Sequence, residues 1–218
     1  MPKDAIIPAR KRHRLTTRLW HWTNALCLMV LLMSGLTIFN AHPRLYWGEY
    51  GANDDYAWMA VGSSERMGYL RLGELRVETT GFLGNWQDSQ GQTRTWAFPG
   101  WATIPSSYSL ADGRRWHFFF AWIFSFGLGL FMLRSLGVIF ILLPLMIFTG
   151  LTMSPAMDAN WPFLSDLFGG RQSARSLHFI AAFLLVLFFL IHMVMVLLSG
   201  PFRQIGAMIS GGERNESL

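Results

Sequence analysis

The chain has 218 residues, of which 52% are hydrophobic and 14% charged, with a formal net charge of +5 and a single cysteine, Cys27. One cysteine excludes an intrachain disulfide, a Cys-x-x-Cys-His attachment for c-type haem, and an iron–sulfur cluster held by this chain alone. The basic balance invites a nucleic-acid reading, but the positive charge crowds ahead of the first apolar run, which is how a membrane orientation signal looks.

Residues 1–18 set Lys3, Arg10, Lys11, Arg12, Arg14 and Arg18 against Asp4 alone, a segment expected in the cytoplasm. The run that follows is too long for the apolar core of a signal peptide and has no small-residue cleavage site, so it is expected to stay as a span. That first span is predicted over 19–39, with Trp20 and Trp22 at the interface and His21 in its first turn, at the cytoplasmic end.

From residue 40 to about 115 the chain is polar and aromatic with nearly balanced charge, far longer than an ordinary connection. Leu75-Arg-Val-Glu-Thr-Thr-Gly-Phe82 and Thr93-Arg-Thr-Trp-Ala-Phe98 alternate in part, and Asp88-Ser-Gln-Gly91 between them is good turn chemistry. A β-hairpin is therefore predicted. An odd number of spans precedes this insertion, which places it outside, in the periplasm of a bacterium. It is expected either as a solvated cap over the helices or as a docking surface for a soluble partner, which exposed aromatics favour.

The second span is predicted over 116–133, opening at Trp116-His117 on the outer side, and the third over 136–153, with Pro144 tolerated as a kink. The junction Leu133-Arg134-Ser135-Leu136 leaves little room for two spans of about 20 residues each. Either these helices are short or a cytoplasmic segment between them is absent from the sequence. The outer loop 154–174 carries Pro155, Pro162 and Gly169-Gly170. The fourth span is predicted over 177–198, and Gly200-Pro201 ends it. The expected architecture is an all-α membrane protein, one domain over 1–218: a four-helix transmembrane bundle with both termini cytoplasmic and a β-hairpin-bearing periplasmic insertion over 40–115.

The fourth span carries two histidines, His178 and His192. Their separation puts them about 21 Å apart and within about 40° of one helix face. Imidazole in lipid is costly without a partner, and two haem irons are partners that suit the pair, each needing a second axial ligand. Depth supplies it. His117 and His178 both open their spans on the outer side, whereas His21 and His192 lie toward the cytoplasmic side. The predicted ligand sets are His117–His178 for an outer haem b and His21–His192 for an inner one, with no open iron position. Arg18, Arg114, Arg115 and Arg175 at the span ends are candidates for the haem propionates. His13 and His42 are expected to be solvated surface residues.

The residues now resemble a known family, the bacterial four-helix di-haem cytochrome b561 type, which includes the membrane cytochrome b subunits of nickel–iron hydrogenases, formate dehydrogenases and thiosulfate reductases. The resembling pieces are Arg18-Leu-Trp-His21-Trp22, Gly113-Arg-Arg-Trp-His117, Leu143-Pro-Leu-Met-Ile-Phe-Thr-Gly150-Leu-Thr-Met-Ser154-Pro155, and Gly169-Gly-Arg-Gln-Ser-Ala-Arg175-Ser-Leu-His178 with His192. The insertion, with Trp47-Gly-Glu-Tyr50 and Phe98-Pro-Gly-Trp-Ala-Thr-Ile-Pro105, is similar to the thiosulfate-reductase-type branch. The resemblance implies the same four ligands in the same pairing and a quinone site beside the inner haem, where Asn24 is a candidate contact. It also implies a periplasmic partner, a molybdopterin oxidoreductase, and a place in the bacterial inner membrane. Family members generally carry a longer segment between the second and third spans. The reading that follows is a di-haem subunit passing electrons between a periplasmic redox partner and the quinone pool. Its rivals are a stand-alone superoxide:quinone oxidoreductase and a cofactor-free membrane anchor.

Overall fold

Long apolar helices carry this chain, and where each begins is decided by a few polar and glycine residues at its end. The computed structural model describes residues 13–132 and 142–211. The first helix, α1, runs Leu15–Phe39. Six strands follow: β1 Arg44–Leu45, β2 Met59–Ser64, β3 Met67–Leu72, β4 Leu75–Glu78, β5 Trp86–Gln87 and β6 Thr93–Arg94. A turn of 3₁₀ helix at Gly100–Ala102 leads to α2, Leu110–Met132. Then come α3 Leu142–Thr152, the short α4 Pro155–Asn160 and α5 Pro162–Leu167, the long α6 Arg171–Leu198, and α7 Pro201–Ser210. The chain forms two compact units, Met1–Leu26 with Val186–Leu218, and Cys27–Leu185.

Two of the described helices, α1 and α6, are long and apolar enough to cross a membrane. Leu187, Phe188, Leu190, Ile191, Met195 and Leu198 of α6 are all exposed, a contiguous apolar face that water does not tolerate and lipid does. The tight junction noted near residue 134, and with it the expected start of the third span, lies outside the described residues.

Both α2 and α6 start earlier than the apolar pattern predicts. For α2 the reason is a serine at the helix start. Ser109 Oγ accepts the Asp112 N–H at 3.3 Å and donates to Asp112 Oδ2 at 2.7 Å, which satisfies one helix-end donor and starts the helix at Leu110, six residues before the expected span. For α6 the cap is the insertion itself. The Gly48 carbonyl accepts the N–H groups of Gln172 and Ser173 at 2.9 and 3.1 Å, and the Gly48 N–H donates to Ser173 Oγ at 2.8 Å. Gly170 has a φ of +100°, and a Cβ there would lie 2.7 Å from the Glu49 nitrogen. Only glycine allows this approach. The polar outer loop also proves more structured than expected, as α4 and α5 each begin on a proline in the first turn.

The insertion holds more β structure than one hairpin. β1 to β4 form a four-stranded antiparallel sheet in chain order, and β5 and β6 form a separate two-stranded ladder. The predicted pairing of 75–82 with 93–98 does not occur. β4 folds back on β3 through Gly73 (φ +58°) and Glu74, with Leu72 opposite Leu75, because a two-residue turn closes a hairpin at far lower entropic cost than a long loop. The predicted turn at 88–91 does form, between the shorter β5 and β6. Asp88 Oδ1 accepts from the N–H groups of Gln90 and Gln92, both at 2.9 Å. The insertion core gathers Phe39, Leu45, Met59, Val61 and Ala97, and Phe179 of α6 packs against it. The residue beside His178 thus anchors the sheet.

Candidate functional site

Two histidine pairs stand out, one in each unit. In the unit Cys27–Leu185, α2 contributes His117 and α6 contributes His178. Their ring centroids are 6.3 Å apart and their planes are inclined at 61°. In the other unit, α1 contributes His21 and α6 contributes His192, with centroids again 6.3 Å apart and planes at 51°. Two imidazoles sharing one metal, each with a nitrogen about 2 Å from it and about 1.1 Å from its own ring centre, have centroids about 6 Å apart. Both pairs present that spacing. Among the described residues no three His, Cys, Asp or Glu side chains gather as a metal site, so the pairs suit a metal whose other ligands come from elsewhere, as the four equatorial nitrogens of a haem do.

In the His117–His178 pair the ring nitrogens are differentiated. His117 Nδ1 lies 3.1 Å from the Leu31 carbonyl and 3.1 Å from Ser34 Oγ. A carbonyl only accepts, so Nδ1 carries the proton and Nε2 keeps its lone pair. His178 Nδ1 lies 3.0 Å from Thr149 Oγ1. That hydroxyl already donates to the Leu145 carbonyl at 2.6 Å, so it accepts from His178 Nδ1–H, and the same tautomer results. Glycines let the helices close on the rings: a Cβ at Gly35 would stand 3.5 Å from His117 Cε1, and one at Gly150 would stand 3.4 Å from His178 Cε1.

The His21–His192 pair is built differently. His21 packs edge-on to Trp22 and His192 stacks on Phe188 one turn earlier. His21 Nδ1 is buried and has no hydrogen-bond partner among the described residues. The same end of α1 is tied to α7, where Arg18 Nε and Trp22 Nε1 both donate to the Met208 carbonyl, at 3.0 and 3.4 Å.

The arginines named from the sequence have the following partners. Arg18 holds α7 as described, and Arg114 is exposed. Arg115 pairs with Asp112 at 3.2 Å. Arg175 donates to the carbonyls of His42 and Arg44, at 2.6 and 3.2 Å, and its guanidinium lies over the Phe39 ring. Asn24 Nδ2 donates to the Trp20 carbonyl at 2.7 Å.

His42 is not the solvated residue expected. It stacks on Tyr46 with centroids 5.6 Å apart, and its Nε2 is buried. Burial first, then Arg175 and Arg44, lowers its pKa from the ordinary value. Ser34 and Thr149 escaped the sequence reading, although each stands immediately before a glycine inside an apolar run, and that small-residue step in a span was the available signal.

A family model described as prokaryotic cytochrome b561 matches the chain over residues 12–136 and 134–211. The two matched stretches meet at the tight junction between the second and third predicted spans. No curated protein and no solved structure matches the chain.

Proposed function

The chain belongs to the prokaryotic cytochrome b561 family, membrane proteins that transfer electrons on haem b, and on that premise we propose that it is a di-haem subunit linking a periplasmic redox partner to the membrane quinone pool. The observation that carries this reading is the recurrence of one ring spacing, 6.3 Å, in two separate histidine pairs. Each haem, when bound, takes up and releases one electron at a time. His117 and His178 would hold one and His21 and His192 the other, and such bis-imidazole binding would supply electron transfer and not oxygen chemistry.

The protein's own contribution is placement and surround. Phe188 and Trp22 pack on the rings of one pair, while Gly35 and Gly150 admit the rings of the other. The apolar spans keep water away and set a low dielectric. In the proposed topology the bacterial inner membrane is crossed four times, both termini are cytoplasmic, and the insertion faces the periplasm. Tyr50, Phe82 and Trp101 stand exposed on that insertion, where aromatic side chains suit a protein partner such as a molybdopterin oxidoreductase. Its nearly balanced charge argues against the rival superoxide:quinone oxidoreductase, which needs a basic funnel for a small anion. In this reading quinone would bind beside the His21–His192 haem, where Asn24 is the candidate contact.

A haem assay with a reduced-minus-oxidised spectrum on the purified protein tests this directly. The expected result is about two non-covalent b haems per chain, low-spin and unreactive to carbon monoxide. His178→Ala should remove one haem and His192→Ala the other. A haem-free protein would leave only the membrane-anchor reading, and loss of the same haem in both variants would break the pairing.

A further inference from the structure

We infer that Ser34 and Thr149 are paired positioning residues, which hold the His117 and His178 imidazoles in the iron-binding tautomer and tune the potential of the haem between them. The inference rests on the reading of these histidines as haem ligands and deepens it.

The observation is a duplicated device. On α1 the dipeptide Ser34-Gly35 faces His117; on α3 the dipeptide Thr149-Gly150 faces His178. Ser34 Oγ lies 2.6 Å from the Val30 carbonyl and 3.3 Å from the Leu31 carbonyl. Thr149 Oγ1 lies 2.6 Å from the Leu145 carbonyl and 3.3 Å from the Met146 carbonyl. The offsets along each helix are the same, four and three residues back. The contacts to the imidazole match as well, Nδ1 to hydroxyl being 3.1 Å in one and 3.0 Å in the other. At His117 the Leu31 carbonyl, three residues before Ser34, also meets Nδ1 at 3.1 Å. Two unrelated helices thus present the same donor-spent hydroxyl, beside the same bare glycine, to two histidines on two other helices.

A hydroxyl in a span usually spends its proton on the carbonyl one turn back and needs nothing further. Ser34 and Thr149 do spend it so, and this makes each oxygen a pure acceptor toward the ring. The consequence is chemical. A proton held on Nδ1 by an acceptor forces the lone pair onto Nε2, and the shared proton makes the imidazole a better electron donor to a metal at Nε2. A more strongly donating ligand stabilises ferric over ferrous iron, so both hydroxyls pull the potential of this haem down. The bonds also hold the ring planes at 61° to one another, and the mutual angle of axial imidazoles governs the magnetic anisotropy of low-spin ferric haem. The His21–His192 pair lacks the device, since His21 Nδ1 has no partner among the described residues. The two haems are thereby made unequal by their surroundings while keeping the same ligand type.

The test uses the full chain with its haems bound, comparing Ser34→Ala and Thr149→Val with the hydroxyl-keeping exchanges Ser34→Thr and Thr149→Ser. Potentiometric titration and ferric electron paramagnetic resonance read each haem separately. Loss of a hydroxyl should favour reduction of one haem by about threefold to tenfold, or about 28 to 59 mV for one electron. It should shift that haem's low-spin signal and leave the other haem alone. The hydroxyl-keeping variants should stay at the parent values. If Thr149→Val sheds the haem while Thr149→Ser retains it at the parent potential, the hydroxyl is the cause and the inference stands.

Unchanged potentials and signals in Ser34→Ala and Thr149→Val, with haem bound, would overturn the inference and leave the di-haem reading intact. Equal shifts, or equal haem loss, in the hydroxyl-keeping and hydroxyl-lacking variants would also overturn it, by assigning both positions to packing. A parent protein with no bis-imidazole haem would defeat the di-haem reading itself, and this inference with it.

Discussion

Arg175 offers a sharp quantitative test because two different jobs are open to it. Chemistry at a span end suits it to a haem propionate, yet its guanidinium is already donating to the His42 and Arg44 carbonyls and lies over Phe39. In that geometry it clamps β1 to α6 three residues before His178. Replacing it with methionine keeps most of the stem volume and removes both donors. Each hydrogen bond from a charged group contributes about 1.5–3 kcal/mol when well made. Arg175 is only partly buried, so solvent screening takes the pair toward the lower end, about 3 kcal/mol together. The amides near the clamp, Arg44 N–H on the His42 carbonyl and Val61 N–H on the Pro43 carbonyl, should then exchange with solvent about a hundredfold faster if they open locally. Hydrogen exchange by mass spectrometry on the full chain in detergent reads this segment by segment. Arg175→Lys should recover little, since a point charge does not bridge two carbonyls as a planar fork does. Unaltered exchange in β1 and β2 together with a weakened haem would refute the clamp and return Arg175 to the propionates.

Two further outcomes are expected. Gly150→Ala should be tolerated, because a Cβ there stands 3.4 Å from His178 Cε1, whereas Gly150→Leu should push the imidazole aside and cost one of the two haems, read as halved haem per chain. Stability should also depend on pH through His42, whose pKa lies below the ordinary 6.5 in the folded protein. The unfolded chain takes up this proton first as pH falls, so the contribution is intact above about 6.5 and is lost between there and the lower folded value. The difference in Tm between His42→Asn and the parent should be constant above that window and shrink as pH falls through it; a constant difference at every pH would rule the histidine's titration out.

Much of the plan is local and so could be read along the chain. An apolar run of span length announces itself residue by residue, because transfer to lipid is close to additive over side chains, and α1 and α6 follow from it. A histidine inside such a run is costly wherever the chain folds, which is why His21, His117, His178 and His192 stood out before any geometry was known. Even their pairing was accessible, since depth in a bilayer is set by distance along the helix.

What tertiary structure decided is everything that depends on a partner far away in sequence. Ser34 meets His117 across 83 positions, and Gly48 caps α6 across 125. Arg175 clamps the His42 carbonyl across 133. No periodicity records such contacts, because a hydroxyl or a guanidinium looks the same in sequence whether its partner is water, a propionate or a carbonyl. β4 paired with β3 through a two-residue turn for a related reason: where two partners are possible, the lower loop-closure entropy wins. Hydropathy and spacing alone determined the two long apolar helices α1 and α6 and singled out the four imidazoles. The tautomers of His117 and His178, the caps that start α2 and α6, and the partners of Arg18, Arg115 and Arg175 waited on the fold, because hydrogen bonds are directional and satisfied only when a specific donor and acceptor meet.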